Sequence, residues 1–383
     1  MNTRRISLLI LSVMTAVVSM AAVTPDNLRG HVEWLSAPAR EGRRAGLAGA
    51  VESAQYIARQ FEAMGFRTQT QEFTNNRRNV IARAGTANRY ILLGAHYDGQ
   101  GKGNPSASDN AAGVAVMMEL ARQLKAENLP VSIVAIAFDD EEQGLQGSIH
   151  YVGNPVLPLE DAQAALIFDT FGRPFLDLHS WTLFVLGTES SPELAGVVEK
   201  RGQADMLVAG ADLIGPRSDF APFAGKRVPY LFFSHGTHQD YHGPGDTADR
   251  VNYARLAQDA GTIANIARDI AGLKQRPSFS AEERYPARET EALNRILTNT
   301  RAERPDLPPA YKLMFDDLQQ KIHPGAPRET FQMAAAAILA LATPRFSPFM
   351  LDFELEPYYE KMKRPDIAGA IQAESKKWES FAN

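Results

Sequence analysis

Tyr90-Ile91-Leu92-Leu93-Gly94-Ala95-His96-Tyr97-Asp98 decides the fold class. Its first six residues are apolar or small without alternation, the pattern of a strand buried on both faces, and the run ends abruptly in an imidazole and a carboxylate. The same design recurs along the chain. Val131 to Phe138 runs into Asp139-Asp140-Glu141-Glu142, Ala164 to Phe168 runs into Asp169, and Val228 to Phe233 is followed by His235, His238 and His242. Further strands are expected at Arg67 to Phe73, Asn79 to Arg83 and Thr182 to Leu186. Amphipathic stretches at Asn27 to Leu35, Gly49 to Met64, Asn110 to Lys125, Leu145 to Val152, Pro192 to Arg201 and Tyr253 to Leu273 predict helices between and around them. The expectation is an α/β fold with a mixed, mostly parallel sheet flanked by helices. Open sheets of this kind place their chemistry just beyond the carboxyl ends of the strands, where these polar residues fall.

Composition narrows the chemistry. The chain has 383 residues with 44% hydrophobic and 22% charged content, ordinary for a globular protein with room for one or two domains. Lys plus Arg number 40 against 45 Asp plus Glu, a net charge of −5 that gives no basic footprint for nucleic acid. There is no cysteine, which excludes disulfides, a thiolate nucleophile and cysteine-ligated metal.

Three regions follow. Arg4 and Arg5, an apolar run from Ile6 to Met20 that is too short to span a bilayer, and the small-residue site Ser19-Met20-Ala21 predict an export signal over residues 1–22. The expectation is a bacterial periplasmic or secreted protein with no stable membrane insertion after cleavage. Residues 23–274 hold the α/β pattern. Residues 275–383 carry charged helical stretches, Pro305-Asp306-Leu307-Pro308-Pro309 and an Ala-rich run from Met333 to Ala342. They read as an all-helical C-terminal extension without an assigned role.

Carboxylates gathered at one sheet edge repel unless a cation neutralises them, and His with Asp or Glu and no Cys is the donor set of hydrolytic zinc. Two metals sharing one carboxylate would absorb the excess negative charge. Of the adjacent Glu141 and Glu142, one would ligate and the other would take a proton from water.

The motifs resemble a known family. His96-x-Asp98, Ser108-Asp109-Asn110-Ala111-Ala112-Gly113, Glu141-Glu142-Gln143-Gly144-Leu145-x-Gly147-Ser148, Phe168-Asp169, Arg217-Ser218-Asp219 and Tyr241-His242 with Asp246-Thr247 occur in the order of the secreted bacterial co-catalytic di-zinc aminopeptidases. Gly42-Arg43-Arg44-Ala45-Gly46 is similar to the family's opening motif. The likeness covers about Asp26 to Leu273 and implies a three-layer zinc aminopeptidase-like sandwich. It implies two Zn2+ per chain, bridged by Asp109, with His96 and Asp169 completing one site and Glu142 and His242 the other. It further implies Glu141 as general base, Asp98 behind His96, and Tyr241 and Arg217 holding the tetrahedral intermediate. The Asp109-Asn110 peptide is implied to be cis. His235 and His238 compete with His242 after the same strand, and only His242 lies in the Tyr-His-x-x-x-Asp-Thr context. The expected reaction is release of the N-terminal residue from peptides with a free N-terminus, by hydroxide generated on zinc. A glutaminyl-peptide cyclotransferase and a non-catalytic binding domain on the same fold are the alternatives. A carboxypeptidase with a lid is disfavoured, because the 73 residues from Asp169 to His242 leave no room for one.

Overall fold

A computed structural model describes residues 22–280, 285–343 and 350–382. The expected export signal lies almost wholly outside the described residues. Eight strands form one sheet: β1 (Arg67–Thr74), β2 (Arg77–Ala84), β3 (Tyr90–His96), β4 (Ser132–Phe138), β5 (Ala162–Phe168), β6 (Leu183–Leu186), β7 (Met206–Ala209) and β8 (Tyr230–Ser234). Their order is β1-β2-β4-β3-β5-β8-β6-β7. β4, β3, β5 and β8 are mutually parallel, while β2 and β6 run against them on either side. β1 and β2 form a hairpin whose two turn residues, Asn75 and Asn76, both have positive φ, the type I′ geometry that matches strand twist.

The parallel register sets up the site. His96 pairs with Phe138 across β3 and β4, Gly94 with Ile167 across β3 and β5, and Phe168 with Phe233 across β5 and β8. Residues just past these pairs therefore emerge together along one edge.

Alternate strand residues pack on opposite faces, as the two-residue period requires. Ile91, Leu93, Ala135, Leu166 and Phe233 join one core with α1 (Pro25–Leu35), α2 (Ala48–Ala63), α3 (Ala112–Ala126) and α7 (Tyr253–Ala271). Tyr90, Leu92, Val134, Ile136, Ile167 and Phe232 join the other with α4 (Gln146–Gly153) and α6 (Phe220–Gly225). α5 (Pro192–Lys200), which joins the first core through Leu194, Val197 and Val198, starts at Ser191, whose side chain accepts the Leu194 amide.

Among the described residues only helices follow β8: α7, then α8 (Pro286–Glu303), α9 (Pro309–Lys321), α10 (Arg328–Ala342), α11 (Glu356–Lys361) and α12 (Pro365–Ala382). Their apolar residues, among them Leu297, Tyr311, Phe315, Leu318 and Ala337, merge with the second core instead of forming a separate one. The C-terminal helices thus thicken one layer of the sandwich. No helix among the described residues is long and apolar enough to cross a membrane.

Three local departures from the sequence reading have physical causes. β7 is a four-residue strand at the sheet edge, too short to leave a periodic signal. α6 is six residues with Pro222 inside it. The helix expected from Asn110 starts at Ala112, because Asp109 and Asn110 take non-helical backbone angles.

Candidate metal centre

Loops leaving the carboxyl ends of β3, β4, β5 and β8, with the segment entering α3, bring six predicted residues into two groups. His96, Glu141 and Asp169 offer donor atoms within 4.8 Å of one another, and Asp109, Glu142 and His242 do the same. Asp109 faces both. Its Oδ1 lies 3.3 Å from His96 Nε2 and its Oδ2 lies 2.9 Å from His242 Nε2. His96 Nε2 is also 3.4 Å from Asp169 Oδ1, and His242 Nε2 is 3.1 Å from Glu142 Oε2. The Asp109-Asn110 peptide is cis.

The surroundings hold these carboxylates by directed bonds. Asp246 accepts the amides of Ser108 (2.9 Å) and Asp109 (3.1 Å), fixing the segment that presents Asp109. Asn110 donates to the Phe168 carbonyl at 2.9 Å, tying that segment to the end of β5. Ser218 Oγ donates to Asp169 Oδ2 at 2.7 Å, and Thr170 Oγ1 donates to Asp169 Oδ1 at 2.9 Å. Asp98 Oδ1 lies 3.5 Å from His96 Nδ1, a charge contact too long for the expected hydrogen bond. Its carboxylate instead accepts the amides of Glu141 (3.1 Å) and Glu142 (3.3 Å), so it orients the glutamate pair as well as facing the imidazole.

Arg43 secures the loop from Tyr97 to Ser106 from beneath. Fully buried, it donates to the carbonyls of Tyr97 (2.9 Å), Leu35 (2.8 Å), Pro105 (2.9 Å) and Ser106 (2.7 Å). Gly42 before it has φ +68°, and a Cβ there would meet Gly101 O at 2.0 Å, so this turn admits only glycine.

Electrostatics show what the cluster lacks. Burial pushes Asp109 up, but the bonded His242 and His96 outweigh it and hold its carboxyl well below the usual range. Burial and then the Asp109 charge push Glu142 up to about 7, with His242 opposing. Burial raises Glu141 well above the ordinary carboxylate range, His96 opposing and Asp169 and Asp219 adding. Burial likewise lifts Asp219 to about 7. His242 is carried up to about 10: burial works against its charge, and Asp109 and Glu142 more than offset it. Buried carboxylates outnumber imidazoles, and Glu142 Oε1 has no hydrogen-bond partner. An oxygen- and nitrogen-preferring divalent cation in each group fits this donor set.

The other predicted residues lie around the cavity beside the groups. Tyr241 stacks on the His242 ring, centroids 3.8 Å apart, and lines the cavity beside the centre. Arg217 is exposed at the rim of that cavity, its Nε donating to the Ile214 carbonyl at 2.8 Å. The competing histidines point elsewhere: His238 Nε2 is 2.6 Å from Ser108 Oγ, and His235 Nε2 is 2.9 Å from Asp259 Oδ2. Sequence reasoning gave no part to Gln100, whose side-chain amide donates to Glu142, nor to Asp246 as the acceptor for Ser108 and Asp109. The proximity of Gln100 to His96 and Asp98 in sequence was its one available signal.

Residues 79–267 match Peptidase family M28. An aminopeptidase of Pseudomonas aeruginosa is 31% identical over 211 residues, an alignment covering 50% of this chain and 38% of that relative. The chain therefore spans well under half the length of this curated relative. Among solved structures, BSAP, a zinc aminopeptidase from Bacillus subtilis, superposes with a TM-score of 0.56 at 17% identity, covering 68% of this chain and 99% of that one. A Porphyromonas gingivalis glutaminyl cyclase superposes with a TM-score of 0.53 at 21% identity, covering 64% and 97%. Both share the three-layer fold. The matched segment, just under half of the chain, runs from β2 into α7 and carries both residue groups, so it is this α/β part that is similar to peptidase family M28.

Proposed function

We propose that the protein is an exported, zinc-dependent aminopeptidase that removes the first residue of peptides with a free N-terminus. The observation that carries this reading is Asp109, whose two carboxylate oxygens face separate groups of His and carboxylate donors. In this reading His96 and Asp169 hold one zinc ion, Glu142 and His242 the other, and Asp109 lies between them. When bound, zinc supplies Lewis acidity, polarising the scissile carbonyl and bringing the pKa of water to about 7.

The chain's own residues do the rest. Glu141 takes a proton from the attacking water and delivers it to the leaving amine. Asp98 keeps Glu141 and Glu142 aimed in different directions by accepting both their amides. Tyr241 and Arg217 donate to the developing oxyanion, and the surplus of carboxylates receives the substrate's α-ammonium. Residues 1–22 direct export and are removed.

Glu141 has donor atoms within reach of His96 and Asp169, so its role as base or as ligand is decided by one variant. Glu141→Ala is expected to keep its zinc and fold while losing about 10²–10⁴ in turnover. Loss of the metal would make Glu141 a ligand, and near-normal turnover would remove it from the mechanism.

A further inference from the structure

A cavity of about 400 Å³ opens beside Glu141, Glu142, Asp169 and His242 and extends away from them between the sheet and the C-terminal helices. Its near wall comes from strand residues such as Leu186, Leu207 and Phe232. Its far wall comes from α8 and α10: Leu293, Ile296, Ala335, Ile338 and Leu339. Both helices lie outside the segment that matches the peptidase family. They are anchored where they meet the sheet: Glu289 accepts the Gly210 amide at 2.8 Å, and Arg328 Nε donates to Asp212 Oδ2 at 2.8 Å.

Resting on the proposed aminopeptidase reading, we infer that these C-terminal helices, outside the family-matched segment, are the wall that sets how large an N-terminal side chain the enzyme admits. Three observations carry this. The cavity begins at the candidate metal centre, so a substrate whose first carbonyl sits there directs its first side chain inward. The far wall is aliphatic apart from Thr343 at the end of α10, with no charged group to receive a Lys, Arg, Asp or Glu side chain. The volume suits more than a small side chain: an engineered apolar cavity of about 150 Å³ accommodates benzene, and this one is more than twice that size. Small first residues leave that space empty and forgo its apolar contacts.

The test fills the wall and reads size preference. Zinc-loaded full-length protein is assayed on alanyl, leucyl, phenylalanyl and 2-naphthylalanyl anilides, and binding of 2-naphthylalaninol and alaninol is measured by calorimetry. Wild type is expected to favour the naphthylalanyl over the alanyl substrate at least tenfold in kcat/KM. Ala335→Phe narrows the cavity from α10. Leu339→Phe does so from a half-buried position that tolerates a larger side chain, should the first variant fold poorly. Each is expected to lower the naphthylalanyl-to-alanyl ratio in kcat/KM at least tenfold and to weaken 2-naphthylalaninol binding relative to alaninol by a similar factor. Turnover of anilides with ratios and affinities the same as wild type in both variants would overturn the inference and leave the aminopeptidase reading intact. Absence of turnover on every anilide, with the 2-naphthylalaninol affinity still falling in the variants, would overturn the reaction and leave the pocket assignment standing.

Discussion

Truncating Arg43 is expected to be among the most destabilising single changes available in this chain. The side chain is fully buried, and its guanidinium satisfies four carbonyls, two of them, of Pro105 and Ser106, just before the segment that presents Asp109. Burial draws Arg43 down to about 10, with Asp246, Asp98, Asp109 and Glu142 opposing, so it is a cation at neutral pH beneath a cluster of anions. Arg43→Ala would leave four buried acceptors competing for whatever water enters the void and would strip a positive charge from the underside of the site. Removing one side of such a buried charged network costs about 3–5 kcal/mol, a large part of the roughly 5–15 kcal/mol of a typical domain. Arg43→Lys should recover less than half of that, because one ammonium cannot reach carbonyls spread around a planar fork. Urea unfolding followed by circular dichroism gives the stability, and zinc titration of the folded fraction shows whether the loop still presents Asp109. An Arg43→Ala midpoint equivalent to within about 0.5 kcal/mol of wild type would refute the argument that these four bonds hold the loop.

Asp109→Ala is expected to lose both zinc ions together, and one zinc retained at full occupancy in metal analysis would contradict the bridging role. Glu119 provides a pH-dependent stability test away from the site. It accepts from Asn27 at 2.9 Å and from Arg122 at 2.7 Å, with His31 Nε2 3.5 Å away. Burial favours its neutral form, but those partners prevail and hold it at about 2 in the folded chain, below the ordinary 4.5. Its ionisation therefore contributes stability above about pH 4.5, at most about 3 kcal/mol, which is lost as pH falls toward 2. The stability gap between wild type and Glu119→Gln should narrow over that window in urea titrations; a gap constant from pH 7 to pH 3 would show that Glu119 is not the ionising group.

What the sequence made legible follows from how each feature is encoded. The strands that carry the site are buried on both faces, so each announces itself as an unbroken apolar run, and the ligand types stand directly at the ends of those runs. His96 and Asp169 were readable for that reason, and His242 was separated from His235 and His238 by its neighbours Tyr241 and Asp246. The start of α3 was misplaced because Asp109 and Asn110 resemble helix openers in composition but present their side chains from non-helical backbone. Gln100 and the acceptor role of Asp246 depend on side chains meeting across loops, which leaves no local pattern. The C-terminal helices show the same limit on a larger scale. Their helical periodicity was plain, yet their placement against Leu186, Leu207 and Phe232 is a matter of packing between segments about a hundred residues apart, to which periodicity is blind.

The most direct test of the account is bound-zinc stoichiometry measured on the same preparation as turnover of aminoacyl anilides, with N-acylated anilides and N-terminal glutaminyl peptides as controls. The account predicts two zinc ions per chain and chelator-sensitive release from free but not blocked N-termini, without cyclisation of glutamine. Absence of bound zinc together with no turnover after zinc addition would contradict it, as would cyclisation in place of hydrolysis.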